Sequence, residues 1–301
     1  MLLAWLALQP AFAAEAMDPS ELDHCRIIGI GEMTHGGAAE VAARSALTRV
    51  IAARSPVHLL LEAGVAEGQI AEEARRTGRS REAAWALGYW TWRSEELVDA
   101  LDELDVIDLR GIDVQTPGAT EQRLTQTTDP GDLAALTWAL QANRTLGMPT
   151  DRGYGRRRDA FMAQAVSAFV DADPERRAVV WAHNGHVGRK RGRLGGHLDR
   201  TYGDDYCVVG VVVGEGEATV MTTDGRLVTV PIPDAPGRSL VDAFAGQPAG
   251  LYAVPRGRWS IPQVGVFLTG ADYTRIRADK AFDAIYYLPE TGPTHPMAPP
   301  E

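Results

Sequence analysis

The stretch Val57-His58-Leu59-Leu60-Leu61, with Glu62 directly after it, decides the fold. Its apolar residues run on without polar alternation, as in a strand covered on both faces, and such strands belong to parallel sheets with helices on each side. Pro56 ends the helical stretch before it. Cys25-Arg26-Ile27-Ile28-Gly29-Ile30 and Ala178-Val179-Val180-Trp181 have the same character. Between these runs the apolar residues recur at helical spacing: Val41, Ala42, Leu47, Val50 and Ile51 form one stripe over 38–54. Further helices are expected over 65–76, 81–87, 94–104 (with Ser94 as cap), 132–143 and 157–170, and a strand over 106–114 that ends on Asp113 and Gln115. This alternation predicts an α/β fold with a mostly parallel central sheet flanked by helices. Beyond residue 206 the character changes. Strand-like runs over 206–213, 217–222 and 227–231 are separated by Gly214-Glu215-Gly216 and Asp224-Gly225, which are hairpin signals, and a β-rich C-terminal extension is expected. A short helix over 239–245 and strands over 251–254 and 284–288 follow.

Composition limits the function classes. The 301 residues, 45% of them hydrophobic, are enough for a sizeable core. A net charge of −10 argues against a nucleic-acid partner, which needs a basic footprint to release counterions. No run approaches the ~20 apolar residues of a membrane span. Residues 1–16 form a candidate signal segment, with an apolar stretch from Leu2 to Leu8 and the small-residue pattern Ala11-Phe12-Ala13, although it lacks a positive n-region. Export to the periplasm or medium is the expected localisation, with a cytoplasmic protein as the alternative. Residues 17–290 read as one domain and 291–301 as an irregular, proline-rich tail. The two cysteines, Cys25 and Cys207, are expected as buried thiols in preference to a disulfide. A basic run, Arg189, Lys190, Arg191 and Arg193, is either a solvated loop or an attraction for an anionic substrate.

Two segments carry the chemistry. Gly31-Glu32-Met33-Thr34-His35-Gly36-Gly37 and Trp181-Ala182-His183-Asn184-Gly185-His186 each follow an apolar strand, where open α/β sheets keep their active sites. A carboxylate three residues from an imidazole, as in Glu32 and His35, fixes the tautomer and raises basicity, which water activation requires. Taken alone the pair reads first as a capping glutamate and a satisfied histidine. His183 and His186 could bind zinc together with Glu32, His35 or Glu62, hold a developing oxyanion, or be structural. The glycines Gly29, Gly31 and Gly36 do not make a dinucleotide fingerprint: Thr34 stands where the third glycine belongs, and Glu32 would crowd a pyrophosphate.

These segments, together with the strand ending in Glu62, the tryptophan-rich stretch before Glu95 and Glu96, Gly111-Ile112-Asp113-Val114-Gln115 and Arg158-Asp159-Ala160-Phe161-Met162-Ala163, resemble the erythromycin esterase family in order and spacing from about residue 25 to about residue 213. The resemblance implies a hydrolase that opens a carboxylic ester or lactone with an activated water, without a covalent intermediate, cofactor or metal. It makes His35 the general base, with Glu32 and Glu62 orienting it or the water. It places Arg44 and Arg158 in the cleft as substrate-binding residues, suited to an oxyanion or to holding the carboxylates, and gives His183 and His186 the tetrahedral intermediate or the leaving alkoxide. Trp92 is a candidate wall of the substrate site. The absence of a Gly-x-Ser-x-Gly elbow agrees with a water nucleophile. The chain is shorter than typical macrolide esterases between about residues 115 and 155, which implies a smaller lid.

The reading is therefore an esterase acting on a small-molecule ester or lactone. The alternatives are a metal-dependent peptidase-like hydrolase, an acyl-transfer or cyclisation enzyme of a biosynthetic pathway, and a non-catalytic small-ligand binding protein.

Overall fold

The computed structural model describes residues 14–104, 107–235, 237–264 and 271–300. All but the last three residues of the expected signal segment 1–16 lie outside them. The elements are β1 (Ile27–Ile30), α1 (Ala38–Ala52), β2 (Val57–Gly64), α2 (Val65–Arg75), α3 (Ser80–Ala86), α4 (Glu95–Glu103), β3 (Ile107–Asp113), α5 (Pro117–Leu124), α6 (Pro130–Leu146), α7 (Tyr154–Ala172), β4 (Arg177–Trp181), α8 (Asn184–Val187), α9 (Leu194–Tyr202), β5 (Tyr206–Met221), β6 (Leu227–Pro231), α10 (Leu240–Phe244), β7 (Gly250–Ala253), β8 (Arg258–Val264), β9 (Ala271–Arg277), α11 (Ala278–Ala281) and β10 (Ala284–Thr291).

The central sheet has the order β3-β2-β4-β1-β5-β10-β7, with β6 added to β5. From β3 through β10 all neighbours are parallel, and β7 and β6 pair antiparallel. The α/β architecture expected from the apolar runs is what forms. Every residue of β1 is buried, as are Val57 to Leu61 of β2 and Ala178 to Trp181 of β4, because helices cover both faces. The two sides of the sheet carry separate cores: Ile28, Ile30, Leu59 and Leu61 face α1 and α4, whereas Ile27, Leu60, Val180 and Val208 face α7 and α9. Parallel order has a consequence for chemistry. Four adjacent strands, β3, β2, β4 and β1, end on the same edge, and their carboxyl ends carry Asp113, Glu62, His183 and the Glu32–His35 loop.

Three local expectations need correction. The Gly214-Glu215-Gly216 stretch is not a hairpin turn, because β5 runs through it and stays paired with β10. Gly216 takes the bend at φ 114°, where an added Cβ would strike the Thr291 carbonyl, and the strand then pairs with β6. The C-terminal extension also holds the β8–β9 hairpin, a separate two-stranded sheet that the sequence reading missed. Cys25 and Cys207 are joined in a disulfide rather than left as thiols. Pairing of β1 with β5 aligns Ile28 with Cys207 and brings the two cysteines together from 182 positions apart. Residues 292–300 have no helix or strand, yet they pack on the domain: Gly37 bridges Pro293, Ser94 bridges Pro296, and Met297 is buried.

Candidate active site

The first histidine segment is a loop clamped from several sides. Gly31 touches Asn184 so closely that a Cβ would overlap the amide, so the β1 loop and the β4 loop pack directly on one another. Asn184 donates its backbone N–H to the Glu32 carbonyl at 2.9 Å, while its side chain exchanges two hydrogen bonds with the backbone of Val211. Held in this way, His35 donates Nδ1–H to Glu32 Oε1 at 2.6 Å, which leaves Nε2 as the basic nitrogen of a ring that lines the cleft. Burial works against a charged imidazole, but the Glu32 carboxylate overcomes it and raises the pKa of His35. Glu32 itself ionises below the usual range: burial opposes it, and Arg44 and His35 outweigh burial.

Of the two roles expected for Arg44, substrate contact and holding a carboxylate, its place behind Glu32 with 2% exposure fits the second. Its Nη1 is 2.7 Å from Glu32 Oε2, a close ion pair that departs from hydrogen-bond geometry, and its guanidinium lies over the rings of Trp181 and Trp92. Glu40 completes the loop's support. Its Oε1 accepts from Met33 N at 2.5 Å and Thr34 N at 3.3 Å. Burial, together with the charge on Glu32, pushes its carboxyl up to about 8, so it is protonated at neutral pH.

The second segment treats its histidines differently. His183 Nδ1 accepts from Gly185 N at 3.0 Å, and its Nε2 faces the Met33 carbonyl at 3.2 Å, so the ring is the Nε2–H tautomer with both nitrogens engaged. Burial lowers its pKa to about 4, helped by His35 and His186. The ring lies 5.2 Å from that of His35. His186 forms a second carboxylate–imidazole pair: Nδ1–H donates to Asp159 Oδ1 at 2.6 Å, and Nε2 points toward Glu62 Oε1 and Arg158, each at 3.4 Å. Asp159 is fully buried and also accepts from Leu194 N and Arg193 Nη1.

Glu62 joins the two loops. Its Oε2 accepts from His183 N at 3.2 Å, and its Oε1 accepts from Arg158 Nη2 at 2.6 Å. Burial opposes ionisation, but His186, Arg158 and His35 hold this carboxyl far below the usual range. Arg158 also binds Asp113 Oδ2 through Nε and Nη2, at 3.0 and 2.8 Å. These groups line a cleft of about 420 Å3 together with Glu67, Tyr89, Trp92 and Gln115. Glu67 is held above its ordinary pKa by burial. Trp92 donates Nε1–H to the Glu62 carbonyl at 3.3 Å.

Of the residues singled out from the sequence, His35, Glu62, His186, Arg158 and Trp92 border this cleft, Glu32 and Arg44 stand behind His35, and His183 borders a neighbouring cavity. Asp159 and Asp113 were missed as functional groups. Asp159 follows Arg158 directly, and an acid beside a predicted cleft arginine is the signal that could have found it. The histidines and carboxylates of the cleft do not converge on a point. Among the described residues, the group whose ligand atoms all lie within 4.8 Å is His24, Cys25 and Cys207, and its sulfurs are bonded to each other.

A family model described as erythromycin esterase matches residues 119–291, more than half of the chain. No curated protein sequence matches it. A solved structure described as a succinoglycan biosynthesis protein superposes with a TM-score of 0.78 at 14% identity, covering 94% of this chain and 96% of its own. A protein from Bacillus cereus gives 0.77 at 15% identity, with 95% and 97% covered. A histidine-to-asparagine mutant of the erythromycin esterase EreC, in its open conformation, gives 0.64 at 15% identity, with 90% and 92% covered. At such identities the likeness is one of fold.

Proposed function

The chain belongs to the erythromycin esterase family, and on that premise we propose that it hydrolyses a small-molecule carboxylic ester or lactone with a water activated by His35. The observation that carries the reading is the His35 ring at the cleft wall with Nδ1–H held by Glu32 at 2.6 Å, which leaves Nε2 as its basic nitrogen. That arrangement presents a base of fixed tautomer to a bound water. In the proposed step His35 Nε2 takes a proton from water as the oxygen adds to the carbonyl carbon. Arg158, held by Glu62 and Asp113, faces the carbonyl oxygen as it gains charge, and His186, oriented by Asp159, braces Arg158 Nη1 through its Nε2. The tetrahedral intermediate then collapses to the acid, and the leaving alkoxide recovers the proton from the His35 imidazolium. Glu62 holds Arg158 and the His183 backbone in register. His183 supports the Met33 carbonyl next to His35 and stays neutral.

The test is turnover of a panel of esters and lactones by the wild type and by His35→Ala. A loss of at least ~100-fold is expected when a general base is removed. Unchanged turnover in the variant would sink the assignment of His35.

A further inference from the structure

The basic run that follows the second histidine segment borders a cavity of its own. His183, Asn184, Gly185 and His186 form one wall of a space of about 170 Å3, Lys190 and Arg193 stand at its side, and Ile261 and Ile276 of the β8–β9 hairpin close it with Phe282. His186 lines this cavity and the catalytic cleft alike. The other end of the shared wall, the His183 ring, is 5.2 Å from the His35 ring.

Charge separates the two spaces. The cleft is lined by Glu62, Glu67 and Asp113 against Arg158, whereas among the described residues no carboxylate lines the smaller cavity. Asp159, which bonds the lining residues His186 and Arg193, accepts at both oxygens, from His186 and Leu194 N at one and from Arg193 at the other. Arg189 is tied to Asp199 and Asp283, which leaves Lys190 and the outer part of Arg193 as the positive charge at this mouth. We propose that this cavity is a subsite for a carboxylate that the substrate carries beyond the scissile ester, so that the preferred substrates are acidic esters or lactones spanning His186. The inference rests on the hydrolytic reading of the cleft. Apolar walls from Ile261, Ile276 and Phe282 suit a short methylene spacer, and the ammonium of Lys190 attracts the terminal anion as a point charge.

The test compares two matched esters, 4-nitrophenyl hydrogen glutarate and 4-nitrophenyl butyrate, on the wild type, Lys190→Gln and Lys190→Arg. The expected result is a rise of about fivefold in KM for the glutarate ester in Lys190→Gln, with kcat unchanged, the butyrate ester unaffected, and recovery in Lys190→Arg. Equal changes for both esters, or none, would overturn the subsite. Calorimetric titration of glutarate into the protein reads the same site without turnover. Glutarate is expected to bind more tightly than butyrate and to weaken in Lys190→Gln and in about 0.5 M NaCl. If glutarate binds in this manner while neither ester is hydrolysed, the catalytic reading fails and the anion site stands. If both esters are hydrolysed alike and glutarate does not bind, the anion site alone fails.

Discussion

The two histidine loops leave adjacent strands, β1 and β4, at the same edge of the sheet, yet they set their imidazoles to opposite tasks. His35 shares its Nδ1–H with the ionised Glu32, and its pKa is raised. His183 has only backbone partners, and burial takes it down to about 4. Both residues are partly buried, so exposure does not explain the contrast. A carboxylate three residues away does. His186 repeats the first arrangement with an acid supplied from another element, Asp159 on α7. Position on the sheet therefore brings a histidine to the cleft, and the acid behind it decides what that histidine can do.

Removing the acid of the first loop should have the largest effect on this contrast. Glu32→Gln leaves His35 buried without its counter-charge, so the pKa of His35 should fall. If His35 is the base proposed above, wild-type activity needs it neutral and should reach half its plateau above pH 6.5, the group's ordinary value; the variant's acid limb should move below that. A plateau rate about 100-fold lower is expected, because the ring also loses its orientation. A pH–rate profile with an unmoved limb would break the comparison. Asp159→Asn should be milder, with kcat lower by about tenfold and the acid limb in place, since it acts through His186. Were it to shift the same limb as Glu32→Gln, the two loops would not divide the work as described.

The smallest effect on rate is expected at Glu40, whose support of the loop shows in stability. Its folded pKa of about 8 lies above its unfolded value near 4.5, so the folded chain holds a proton that the unfolded chain has released between these values. The stabilisation is complete below about pH 4.5 and is lost as pH rises through about 8. Relative to Glu40→Gln, the wild type should lose on the order of 5 °C in Tm between pH 5 and pH 8, with activity within about threefold. Parallel melting curves across that range would refute a buried, protonated Glu40.

Much of the fold was legible because the runs at 27–30, 57–61 and 178–181 are apolar on both faces, a pattern that only covered parallel strands sustain. The short elements were less legible. The β8–β9 hairpin and α9 are short and follow loop-like stretches, and the glycines at 214 and 216 signal a turn that pairing with β10 overrides. In the site, His35, Glu62, His186 and Arg158 could be named from strand ends and family resemblance. Arg44 and Asp159 could not be placed, because helix position alone does not tell a residue that faces the cleft from one that faces its neighbours. The same holds for the disulfide, which depends on β1 lying beside β5.

By itself, then, the amino-acid order determined a parallel α/β sheet and the residue types at its carboxyl edge, since burial and periodicity are local properties of the chain. The spacing of Glu32 and His35 already put that pair side by side, whereas the acid behind His186, and the lack of one at the His183 ring, were decided by tertiary structure. The partners of His35 and His186 differ in kind: Glu32 is three residues away, whereas Asp159 reaches its imidazole across 27 positions through the packing of α7 against the sheet. A pKa responds to distance and burial in space, and only the folded chain sets those.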